Sequence, residues 1–380
     1  MTVYLITFGI LMLYGISINH NASKSRRKYY IIFAFTVLTV LSMVRSHNVG
    51  RDLKSHYFDS FYRVINMGWS ELSGLAYENG YSAFNKVISL FTSNGQWMIA
   101  IHALFVVGIT GWFIYKNSEN VVMSTFLFIT TNAWFMYMNI MRQAMAVCMI
   151  LIGTEILKQK KLSIIRYLLF VLIILFAMQF HTSAIVAIII PIFEYIPFKR
   201  IHIILSSFGM VAAFILSSFI FKLLSLFQIG KRDYTEFYAS SGAVINITSL
   251  YFVFIYILFF AIGILSLVFY KKKKASDKDE ACISNSKEYS DSFLLYMLLA
   301  TILCRIVGLR ISIISRMSFC FMPYSFILVP RAINAINGEL DRKIVKYSVY
   351  GLMTLAFIVL GYTNAAVLYG TVPYQFFWEI

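Results

Sequence analysis

Apolar stretches recur from one end of the chain to the other, most of them close to the ~20 residues that carry a helix across a bilayer. They predict twelve spans, at roughly 2–19, 28–44, 97–115, 121–138, 140–157, 164–180, 182–197, 201–224, 245–270, 292–308, 311–330 and 344–363. The pairs 164–197 and 292–330 can each be read as one long or broken helix. Between these spans lie polar turns and two longer segments. Residues 45–96 form a long loop in which Tyr81, Phe84, Val87, Ile88 and Phe91 recur at a spacing of three to four. That spacing predicts a short amphipathic helix at the membrane surface. Residues 271–291 open with four lysines and read as a solvated linker.

Composition agrees with the pattern. Of 380 residues, 59% are hydrophobic and 13% charged, and the mean hydropathy is +0.74, too apolar for a soluble chain of this length. The fold class expected is all-α: a polytopic integral membrane protein of about twelve helices, with residues 1–380 as a single transmembrane domain. The first span lacks a basic leader region and a small-residue cleavage site, so it reads as a retained helix.

A net charge of +16 would ordinarily raise nucleic acid as a partner. Here 21 of the 33 lysines and arginines fall in alternate loops, near 20–30, 116–120, 158–166, 197–201, 271–291 and 331–346. That distribution is a positive-inside signature rather than a nucleic-acid footprint. It makes those loops cytoplasmic and turns both termini, the 45–96 loop and a second loop at 225–244 outward. The cysteines at 148, 282, 304 and 320 form no close pair, so neither a disulfide framework nor a zinc site is indicated.

With this orientation the unusual polar residues gather outside. Arg45, Arg51 and Asp52 open the long loop, and Glu78 and Tyr81 follow. Asn139, Arg142 and Gln143 stand at the outer start of the fifth span, and His181 at the outer end of the sixth. Arg232 lies in the second external loop, and Arg305, Arg310 and Arg316 flank the turn between spans ten and eleven. An arginine at membrane depth costs ~2.5–3.5 kcal/mol on insertion scales, so Arg142 is expected to face a cavity or a charged ligand. Guanidinium groups hold phosphate oxygens through a planar fork, at ~1.5–3 kcal/mol per charge-assisted bond. A phosphate-bearing lipid presents its head group at this depth. Each residue also has a plainer reading. Arg45 alone reads as an interfacial side chain, and His181 as a satisfied helix-end group. Asp52 could pair with Arg51 or Arg45, and Glu155 and Glu194 with Lys158 or Lys199. Asp277-Lys278-Asp279 matches the metal-binding D-x-D of cytoplasmic glycosyltransferases, but it sits in a low-complexity linker and is discounted.

Taken in order, these residues resemble the EpsG family of Wzy-like polysaccharide polymerases. The matching pieces are R-x4-G-x-D at Arg45, Gly50 and Asp52, and an E-P-G-[FY]-like turn at Glu78-Asn79-Gly80-Tyr81. N-x-x-R-Q-x-x-A follows at Asn139, Arg142, Gln143 and Ala146, then F-H-T-S-A at Phe180 through Ala184, with Arg316 and Pro373-Tyr374 last. Asn79 departs from the expected proline, and Tyr57 stands one residue further from Asp52 than expected.

The resemblance implies an O-antigen, capsule or exopolysaccharide polymerase at the outer face of a bacterial inner membrane. Its substrates would be oligosaccharide repeats linked to undecaprenyl pyrophosphate, with membrane lipid around it and a chain-length regulator protein as a further candidate partner. No cofactor and no metal is implied, because arginines can neutralise a pyrophosphate leaving group. His181 and Asp52 are the candidate catalytic residues, His181 preferred as general base. Arg142, Arg316, Arg310, Arg51, Arg45, Asn139, Gln143, Glu78, Tyr81 and Arg232 are the candidates for pyrophosphate or glycan. The alternative from another class is a flippase for the same lipid-linked oligosaccharide, which would need cationic groups reaching both sides. A membrane acyltransferase is a third possibility.

Overall fold

The computed structural model describes residues 1–18, 24–159, 162–219, 247–270, 288–363 and 369–379. The loop at 225–244 with Arg232, and most of the 271–291 linker, lie outside them.

A bilayer offers no water to unpaired amides, so a chain this apolar closes its backbone bonds within helices. Among the described residues there is no strand, and one isolated bridge joins Arg45 to Phe376. The α-helices are α1 (Thr2–Ile16), α2 (Lys24–Met43), α3 (Phe58–Ile65), α4 (Asn79–Ser89) and α5 (Gln96–Asn117). Then come α6 (Val121–Thr130), α7 (Ala133–Asn139), α8 (Met141–Leu157) and α9 (Ile165–Met178), followed by a 3-10 helix, Thr182–Glu194. The remainder are α10 (Arg200–Ile215), α11 (Ile247–Gly263), α12 (Asp291–Gly308), α13 (Ser312–Met317), α14 (Ser325–Asn334) and α15 (Glu339–Thr363).

Within the described residues the predicted spans fall on helices or helix pairs; residues 220–224 and 245–246 lie outside them. Four helices are long and apolar enough to cross a membrane, and two bent pairs, α6 with α7 and Ser312–Cys320 with Met322–Asn334, raise the number to six. The 54° bend between α6 and α7 falls at Asn132, whose φ of 64° suits the left-handed tolerance of asparagine. The two ambiguous pairs are broken, one at 179–181 and one at 309–311. The amphipathic segment of the 45–96 loop is helical as α4, with Tyr81 and Ile88 buried and Val87 exposed; beyond its end Leu90 and Phe91 are exposed too.

The chain forms two compact units. The first comprises residues 1–151, 176–181 and 347–380. Its core packs α2 against α5 and buries Tyr4, Trp134 and Phe135 edge to face, with Tyr374 of the C-terminal segment on the same ring. Tyr4 donates to the Thr371 carbonyl at 2.8 Å and Trp134 to the Ser42 hydroxyl at 2.8 Å, so each buried aromatic has its polar end satisfied.

The second unit comprises 152–175 and 182–346. A buried polar network pins one end of it. Tyr289 donates to Glu155 at 2.8 Å, Thr154 meets the Tyr324 hydroxyl at 2.6 Å, and Lys158 pairs with Glu155 at 2.7 Å. The expected Glu155–Lys158 pair is therefore present. Glu194 pairs instead with Arg166, at 3.2 Å, and not with Lys199.

Candidate functional site

In the first unit, the motif residues dock on one another in two pairs. The first joins the start of the 45–96 loop to the end of α7. Arg45 is fully buried, donating to the carbonyls of Ser42 and Met138 at 2.8 and 2.9 Å. Gly50 holds a φ of +116°, a region that favours glycine, and a Cβ there would lie 3.5 Å from the Met138 carbonyl oxygen. The Asp52 amide then donates to the Asn139 side-chain oxygen at 2.8 Å. The C-terminal segment closes the other side, with Gly50 and Arg51 amides on the carbonyls of Gly370 and Tyr369. Thus Arg45 serves the backbone and is not an interfacial side chain. The Asp52 carboxylate forms no ion pair with Arg45 or Arg51, and Arg51 is exposed.

The second pair carries the charge cluster. Glu78 caps the N-terminus of α4 by position, yet its carboxylate does not cap that helix. One oxygen engages Arg142 at the start of α8, and the other lies 3.3 Å from His181 Nδ1, in the break between α9 and the 3-10 helix. Side-chain exposure is 18% for Arg142 and His181 and 13% for Glu78, enough for a ligand to reach without full solvation of the ion pair. Burial opposes ionisation of Glu78, but the His181 contact and the Arg142 charge outweigh it and draw the carboxyl down to about 2. The Arg142 guanidinium stands 4.6 Å from the Tyr77 ring centroid and 5.8 Å from that of Tyr57, so two aromatic faces frame it. Tyr81 is buried against both rings. Asn139 and Gln143 are buried beside the break that starts α8.

What brings Glu78 to His181 is Gly80. A Cβ at Gly80 would lie 2.7 Å from both the Gln179 carbonyl oxygen and its Cβ, closer than side chains ever pack. The Tyr81 amide donates to that same carbonyl at 3.2 Å. Gly80→Ala is therefore expected to lose ~1–3 kcal/mol through overpacking and to part Glu78 from His181. Gly74→Ala, with nothing within 4 Å, should leave the melting temperature of the purified protein unchanged. Equal melting temperatures for the two variants would refute the close-approach role.

The second unit holds the late arginines. Arg310 and Arg316 are exposed, Arg310 over the Phe214 ring at 4.5 Å. Arg305 is buried instead, its guanidinium 5.0 and 4.9 Å from the Phe252 and Phe319 rings. It has no carboxylate partner, and its Nε is buried without an acceptor. Sequence reasoning left Tyr77 out altogether and set Tyr57 aside. Their signal was adjacency, since Tyr77 immediately precedes Glu78. Among the described residues no three His, Cys, Asp or Glu side chains gather as a metal site.

The apolar helices suggest a membrane protein, and among the described residues a semi-buried carboxylate, guanidinium and imidazole in contact are groups capable of acid–base chemistry. The sequence model of the EpsG family matches residues 28–376, and the chain belongs to that family of Wzy-like polysaccharide polymerases. Membership suggests a glycosyltransferase-type polymerase working in polysaccharide biosynthesis. Comparisons with curated proteins and with solved structures each return no match.

Proposed function

We propose that the protein joins oligosaccharide repeats carried on undecaprenyl pyrophosphate, with the Glu78–Arg142–His181 cluster at the reacting centre. The observation that supports this most is the meeting of those three groups from segments remote in sequence, each inside a motif of the family. In the proposed reaction an acceptor-repeat hydroxyl attacks the anomeric carbon of the donor. The bond between that carbon and the pyrophosphate oxygen breaks, and the electron pair leaves with the pyrophosphate. Arg142 neutralises the leaving group, and His181 takes the hydroxyl proton on Nε2 while Nδ1 faces Glu78. Single displacement inverts the anomeric centre.

Arginines suffice for this scheme, so no divalent ion is required. Purified protein given lipid-linked repeats in the presence of a chelator is expected to yield a ladder of polymer and free undecaprenyl pyrophosphate. Activity that needs a restored divalent ion would overturn metal independence. Movement of intact repeats across vesicles with no new glycosidic bond would replace the polymerase by the flippase.

The proposal also sets twelve crossings with the cluster facing outward. Asp59 and Glu71 are exposed in the long loop. Asp59→Cys and Glu71→Cys should react in intact spheroplasts with an impermeant thiol reagent, and native Cys282 should not. Labelling of Cys282 would reverse the orientation.

A further inference from the structure

A cleft of about 610 Å³ opens in the second unit where α10 begins, away in sequence from every residue of the charge cluster. Its walls combine Lys199 and Arg200 with Leu267, Val268 and Leu295, and Asp291 stands at the edge. We propose that this cleft seats the phosphate head group of an anionic phospholipid, with the first carbons of its chains along the apolar wall.

Charge supports an anion. Lys199 and Arg200 are both exposed, and neither has a carboxylate partner. Arg200 instead rests over the Phe269 ring at 5.0 Å. Among the described lining residues the one acid is Asp291, engaged by Arg331 at 3.5 Å, and Arg331 also reaches Glu288 at 3.6 Å. These facing groups leave an excess of positive charge, concentrated on the two residues at the α10 start. The corner that carries them is fixed. The Phe198 amide donates to the Ser292 hydroxyl at 2.9 Å, and the Lys199 amide to His202 Nδ1 at 2.9 Å.

Shape and surroundings support a lipid over a free ion. Basic pockets between membrane helices bind anionic head groups, and a lysine or arginine near an anionic lipid surface is worth about 1 kcal/mol. A free phosphate would have no use for the leucine and valine wall. Beyond the cleft α10 turns Leu205 and Phe208 outward, 57% and 72% exposed, an apolar track for an acyl chain.

Binding can be measured on the full-length protein in detergent, without any polymer synthesis, so its outcome is separate from that of the polymerase proposal. The probe is fluorescent phosphatidylglycerol, competed by unlabelled phosphatidylglycerol, phosphatidylcholine or inorganic phosphate. Phosphatidylglycerol should compete and the other two should not. Lys199→Gln with Arg200→Gln should weaken binding by about 25-fold, about five-fold for each cation. Arg342→Gln with Lys343→Gln, at cations on α15, should leave it unchanged. Equal affinity in the two double variants overturns the assignment to this cleft. Displacement by inorganic phosphate as effective as by phosphatidylglycerol overturns the lipid. Because Lys199 and Arg200 are exposed, their loss leaves the fold intact, and an unchanged melting temperature verifies this.

Discussion

Arg142→Lys is expected to abolish or nearly abolish polymer while leaving the protein at wild-type abundance in the membrane. Lysine keeps the positive charge and can still approach Glu78, so charge alone predicts a mild effect. The arginine does three things that lysine cannot do together. Its planar fork engages Glu78 and leaves further donors for a phosphate, and its flat face lies over the Tyr77 ring at 4.6 Å with Tyr57 beside it. A compact ammonium offers no second edge and no stacking face. Loss of one preorganised donor at a developing anion typically costs ~10²–10³ in rate, and release of Glu78 would add to it. The measurement is polymer length and yield in a deletion strain carrying the variant, with membrane protein quantified alongside. Wild-type-length polymer from Arg142→Lys would remove Arg142 from the leaving-group role.

Arg142 was legible in the sequence because a guanidinium inside an apolar stretch has no inexpensive place to go. The helices were legible for a related reason, since hydrophobic runs must close their own hydrogen bonds. Partnership was not. Glu78 and His181 lie in segments whose local patterns say nothing of each other. Their contact depends on Gly80 meeting Gln179, a constraint that becomes visible only when both backbones are placed.

Arg45 shows the opposite failure. At a span end it reads as a side chain reaching for water, yet it is fully buried and holds two carbonyls at a helix junction. Periodicity reports which face is apolar, and it cannot tell a cation turned to solvent from one turned to unpaired backbone. The break at Asn132 escapes for the same reason, since both flanks are equally apolar, whereas the break at His181 coincides with a span boundary that the sequence predicts.

His181→Ala should stall the proposed reaction at single lipid-linked repeats rather than merely shorten the chains, because a missing general base slows every transfer by ~10²–10⁴. Glu78→Gln separates orientation from proton uptake. It keeps the shape of Glu78 but loses the charge that faces both Arg142 and His181, so it should lower the rate while His181 remains available. Their pH profiles should differ as well. Glu78 is drawn down to about 2 from an ordinary 4.5, so its ion pair contributes fully above 4.5 and is lost only as the pH falls toward 2. Glu78 therefore stays ionised, and the stability it confers stays flat, throughout the neutral range. An acid limb in the wild-type rate near neutrality is therefore not Glu78's, and its disappearance in His181→Ala would identify the imidazole as the proton acceptor. Measured with purified protein, a His181→Ala rate above about a tenth of wild type falls short of the general-base range. The proton would then go to Asp52, whose carboxylate has neither Arg45 nor Arg51 to hold it, or to no side chain at all.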